Sequence, residues 1–295
     1  MKFSFLRRCS LTSLFFIASV SLAFPFENPL LVFEAPESFR ATVTRLERID
    51  QSRFRESMDL VGLPRPGNPI RVIVAAEQSE WAQQAPGWAL GYAIPRKGII
   101  VILPQRVVAY PYDSLENVLS HEVAHIVTAR ASNGRNLPRW FEEGLAMVAA
   151  REWDFQDSAR LTWAMVLGDP ISIESLDALF HEDKALARKA YVLSHAFVRF
   201  FIQEFGRDWP RNMLAFVSQG VPFQEAFFRT TFRPLKIAEA AFWANQTVWI
   251  RWVPAITSTL ALWLAILGLA LYVFNKQRQR AKALKRQWQE EDFDL

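Results

Sequence analysis

The 295-residue sequence contains a single cysteine, Cys9. A lone thiol excludes an intrachain disulfide and any cysteine-based metal site. Cys9 also stands before the apolar run of the N-terminus rather than at its end, which does not fit a lipid-bearing N-terminal cysteine. The chain lacks a basic body as well, despite a formal charge of +4 and a pI of about 9.3. Lys2, Arg7 and Arg8 lie at the start, and Lys276, Arg278, Arg280, Lys282, Lys285 and Arg286 lie in the last 21 residues beside four acidic ones. Without these ends the charges nearly cancel, so the pI is no argument for a nucleic-acid partner. Internal repeats and low-complexity tracts are absent too.

Apolar residues are plentiful, at 51%. Residues 1–23 read as a secretory signal peptide, with a basic start, an apolar run from Leu11 to Leu22 and a small-x-small end at Ser21-Leu22-Ala23. An uncleaved membrane anchor is the other reading, and either one exports the segment that follows. Val253 to Phe274 carries no charge and matches the roughly 20 residues of a spanning helix. The basic run after it places residues 275–295 in the cytoplasm. The expected organisation is a body over 24–250 on the periplasmic or outer side of the inner membrane, one transmembrane helix at 253–274 and a cytoplasmic tail.

Within the body, Phe39, Val43, Leu46, Ile49 and Phe54 predict an amphipathic helix over 36–60. Ile70 to Val74 reads as a strand. Trp88 to Ile94 and Gly98 to Leu103 read as two more, joined by Pro95-Arg96-Lys97-Gly98. Gly91 marks a bulge or a close backbone approach. After residue 113 helix outweighs strand. Asp113 and Glu116 fit a capping box for a helix running to about Arg130, and Pro138 suits the first turn of the next. Further helices are expected after Ser175, from about Ala185 to Phe205 with Gly206 closing it, and over Trp209–Ser218, Phe223–Arg229 and Leu235–Asn245.

His121, Glu122 and His125 spell HExxH on the first of these helices. Residues four apart share a helix face, so both imidazoles can serve one metal ion, with Glu122 beside them to take a proton from a bound water. A zinc site needs a third protein ligand and an open position. Glu142 and Glu143 on the next helix compete for that role. Glu143 is preferred because Trp140 lies three residues before it and can pack beside the site, while Gly144 permits close approach of the metal-bearing helix.

HEVAH followed by Trp140-Phe141-Glu142-Glu143-Gly144-Leu145-Ala146 resembles the gluzincin zinc metallopeptidases, in particular their peptidase MA-like and aminopeptidase-type members. The resemblance covers about residues 69–250. It implies an α+β fold, a small N-terminal β-sheet ahead of a mainly helical thermolysin-like lobe. It also implies one zinc ion on His121, His125 and Glu143, with Glu122 as general base and later acid. A tyrosine on a downstream helix commonly stabilises the oxyanion in this group, which points to Tyr191; a core tyrosine is the competing reading. Gly91, Tyr92 and Ala93 are placed as an edge strand that hydrogen-bonds a peptide, or as a plain hairpin. His195, one turn after Tyr191, either lines the cleft or is a satisfied buried histidine, and His181 falls in a loop. The metzincin pattern does not apply, since Ala131 stands where its third histidine is required.

The segment Trp88 to Pro95 contains no acidic residue where the aminopeptidases carry the glutamate that holds a free amine. The expected function is therefore a membrane-anchored zinc endopeptidase acting on peptide or protein substrates. An inactive scaffold of the same fold and a zinc hydrolase of a non-peptide bond are the rival readings.

Overall fold

The computed structural model describes residues 28–106, 114–150, 170–256 and 259–291. The proposed signal peptide and Asp113 lie outside them. The fold is α+β and mostly helical. A four-stranded sheet in the order β1-β2-β4-β3 precedes the helical part.

β1 (Leu31–Glu34), β2 (Ile70–Val74) and β4 (Ile99–Ile102) run parallel, and β3 (Gly91–Ile94) pairs antiparallel with β4. All four β4 side chains are buried, as a short apolar run at the centre of a covered sheet requires. Val72, Val74, Ile100 and Ile102 face the main core. Ile73, Ile99 and Val101 face a smaller cluster with Trp81 and Tyr92, under α3 (Glu80–Gln83). β3 is an edge strand, and no further strand pairs with it among the described residues.

The helix expected over 36–60 is two, α1 (Arg40–Glu47) and α2 (Ser52–Val61). The Asp50 carboxylate accepts the Ser52 N–H at 2.9 Å, a local bond that starts a new helix. α4 (Leu115–Ala131) carries the HExxH residues. Its cap is Ser114, which accepts the Asn117 N–H at 3.2 Å. Glu116 is turned to Arg45 instead, at 2.8 Å. α5 (Arg139–Ala149) begins after Pro138, as expected.

α6 (Ile173–Leu179), α7 (Lys184–Phe205), α8 (Trp209–Ser218), α9 (Phe223–Thr231) and α10 (Leu235–Ile256) complete the body. Trp140, Phe141, Phe197, Phe201, Trp209 and Phe227 form its aromatic centre, with edge-on ring contacts such as Phe201–Trp209 at 5.5 Å. α11 (Thr259–Glu291) follows. Among the described residues no helix is long and apolar enough to cross a membrane. The stretch 253–274 runs from the end of α10 into α11 and passes through residues outside the description.

Candidate metal centre

α4 and α5 pack against each other so that His121, His125 and Glu143 converge. The Nε2 atoms of the two histidines lie 3.1 Å apart. Oε2 of Glu143 lies 3.3 Å from Nε2 of His121 and 3.4 Å from Nε2 of His125. One ligand atom from each of the three falls within 4.8 Å of the others, so the set can hold a metal ion. Two imidazoles and a carboxylate are a donor set that suits zinc. Of the two candidates on α5, Glu143 is the residue turned to the histidines.

Burial alone would raise the Glu143 pKa. The charges of the histidines and their hydrogen bonds outweigh it and hold the carboxyl well below the usual range. His125 shows the converse: burial lowers its pKa, but the Glu143 carboxylate more than compensates and the net shift is upward. For Glu122 the desolvation of burial outweighs the opposing charges of His121 and His125 and the Ala93 N–H, and its pKa is raised. Glu142 is half-buried, and desolvation raises its pKa as well.

These residues line a cleft of about 590 Å3. β3 forms one wall. The Leu103 N–H donates to Leu90 O at 2.8 Å, so strand alternation turns the N–H and C=O of Gly91 and Ala93 to the open edge. The Ala93 N–H donates to the Glu122 carboxylate. A Cβ on Gly91 would lie 2.8 Å from the Val101 carbonyl oxygen and 3.0 Å from a Val118 methyl, so this glycine marks a close approach, not a bulge. The Tyr92 side chain points away, its hydroxyl donating to Trp81 O at 3.0 Å.

Tyr191 stands on the opposite wall. Its hydroxyl is 3.5 Å from Oε1 of Glu143, and burial raises its pKa well above the ordinary phenol value. Its ring touches Trp88 and Phe180 edge-on, at 6.5 Å and 5.0 Å. His195 is buried behind this wall and does not line the cleft; burial, with Arg199 nearby, lowers its pKa to about 3. His181 does line it, at the turn after α6.

Two expectations about the setting of Glu143 are corrected. Trp140 does not flank the site; it is buried among Phe197, Phe201 and Phe223. Gly144 admits α7, not the metal-bearing helix: a Cβ there would lie 2.5 Å from both Ser194 O and a Val198 methyl.

Two residues escaped the sequence reading. Arg139 lines the cleft one turn before Glu143, a position that i,i+4 spacing could have flagged. Asp177 on α6 accepts the N–H groups of Arg139 and Trp140 at 3.0 and 2.8 Å, capping α5 where Pro138 has no side-chain acceptor. Nothing local announces that contact, because the partners are 37 and 38 residues apart.

The paired helices, the His-His-Glu cluster and the cleft define a metallopeptidase-like fold with a candidate metal centre. The model of the Peptidase MA superfamily matches residues 65–234, more than half of the chain. The chain belongs to that superfamily, which makes it a peptidase-type hydrolase. No curated protein matches the sequence significantly.

Proposed function

We propose that the protein is a membrane-anchored zinc endopeptidase. The observation that carries this reading is the convergence of His121, His125 and Glu143 beside buried Glu122 in one cleft. A zinc ion on the three ligands would polarise a scissile carbonyl and lower the pKa of bound water towards about 7. Glu122 then takes a proton and delivers it to the leaving amine. Burial raises its pKa, which favours its holding that proton between the two steps. Tyr191 keeps its proton because burial raises its pKa, so its hydroxyl serves as a donor to developing negative charge.

The open edge of β3 supports an extended peptide as the substrate. Gly91 directs its N–H and C=O outward and Ala93 its C=O, the Ala93 N–H being held by Glu122, and these outward groups are what an added strand needs. Tyr92 contributes by holding β3 in register with Val101. β3 carries no carboxylate to fix a substrate's free amine, which favours cleavage within chains. Exposed Trp263, Leu267, Leu271 and Phe274 on α11, followed by Lys276, Arg278 and Arg280, support a bilayer anchor with the body on the extracytoplasmic side.

The test is cleavage of a peptide library, including N-acetylated members, by the detergent-purified full chain and by Glu122→Gln. The expected result is cleavage of blocked and free peptides alike, with turnover reduced about 10²- to 10⁴-fold in the variant and its metal retained. Equal cleavage by both proteins would overturn the assignment. Release of the chain from membranes by alkaline carbonate would overturn the anchor.

A further inference from the structure

The two oxygens of Glu143 serve different partners. Oε2 faces the histidines, at 3.3 and 3.4 Å. Oε1 faces outward, 3.5 Å from Nε of Arg139 and 3.5 Å from the Tyr191 hydroxyl. We propose that Arg139 is a positioning residue that reserves Oε1 of Glu143, so that this carboxylate offers a metal ion one oxygen instead of two. The inference rests on the metal-binding part of the proposed function.

Arg139 is itself held by α6 and the turn after it, and its guanidinium also hydrogen-bonds the Tyr191 hydroxyl on α7. Its backbone N–H donates to Asp177. Its guanidinium carbon lies 4.8 Å from the centre of the Phe180 ring, a cation–π contact. Its Nη1 donates to Nε2 of His181 at 3.4 Å. A planar guanidinium can meet Glu143 through one nitrogen and His181 through another, which a lysine ammonium on a flexible stem cannot reproduce. α6 thereby reaches Glu143 without touching the metal site.

The consequence is chemical. A carboxylate free on both oxygens can chelate a metal through both, which adds a fifth ligand to a hydrolytic site built for three protein ligands and a water. Groups that hold a ligating carboxylate matter for affinity on this account. The rival is a plain i,i+4 ion pair on a side chain that is 35% exposed, which would leave metal coordination untouched.

The test uses full-length wild type, Arg139→Lys and Arg139→Met in detergent. Zinc affinity is read by competition with a chromogenic chelator, and coordination by the visible absorption of the cobalt(II)-loaded proteins, which is strong for four ligands and weak for five. Arg139→Met is expected to bind zinc about 10- to 100-fold more weakly and to lose cobalt absorption, with Arg139→Lys in between. Wild-type affinity and spectrum in Arg139→Met would overturn the proposal. If that variant loses its helical circular dichroism, the same result in Arg139→Lys overturns it. Wild type that binds zinc but cleaves no peptide refutes the peptidase reading and leaves these measurements decisive for Arg139; wild type that binds no metal refutes both.

Discussion

A Cβ on Gly144 would sit 2.5 Å from the carbonyl oxygen of Ser194, so α5 meets α7 backbone to backbone directly behind Glu143. This approach sets the distance between Glu143 and Tyr191, which sit on those two helices. Gly144→Ala must push backbone against backbone. The expected cost is about 1–3 kcal/mol of stability, from overpacking a filled core. Urea unfolding checks it.

Asp177 satisfies two N–H groups at the first turn of α5. Asp177→Ala leaves them without that acceptor and is expected to cost about 1–2 kcal/mol, the range for losing a strong cap. Because the same turn bears Arg139, zinc affinity should also fall. Thermal unfolding with and without zinc separates the two effects, since bound metal at a hundred times its Kd adds about 2.7 kcal/mol.

His195 makes stability depend on pH. In the unfolded chain it takes up a proton near pH 6.5, but in the folded protein only near pH 3, because burial disfavours the charged ring. Between those values the unfolded state binds more protons, so stability falls as pH falls. His195→Gln removes this contribution. The urea midpoint should drop less between pH 7 and pH 4.5 in the variant than in the wild type.

Tyr191→Phe keeps the ring that packs on Trp88 and Phe180 and removes only the hydroxyl. Under the proposed mechanism turnover falls about 10²- to 10³-fold, as for loss of one oxyanion donor, with KM changed little. Steady-state kinetics on a cleaved peptide measure this split.

The parts of this fold legible in the sequence are those with local causes. The β3–β4 hairpin, the start of α5 after Pro138 and the end of α7 before Gly206 follow from turn and capping chemistry. So does the shared face of His121 and His125, which follows from helical spacing. What was not legible depends on segments distant in sequence. The i,i+3 argument sent Trp140 to the site, yet the aromatic side chains of α7 and α9 draw it into the core. Gly144 was recognised as a point of close approach, but only the packing of α7 names the partner. The break between α1 and α2 coincides with two Asp50 side-chain bonds to Ser52 that the apolar spacing does not register.

Zinc stoichiometry of the purified full-length protein tests the central claim most directly. The account predicts one zinc per chain in the wild type and in Glu122→Gln, and little or none in His121→Ala or Glu143→Ala. Wild type that stays metal-free after zinc loading, or a Glu143→Ala variant that keeps its zinc at full affinity, would contradict it.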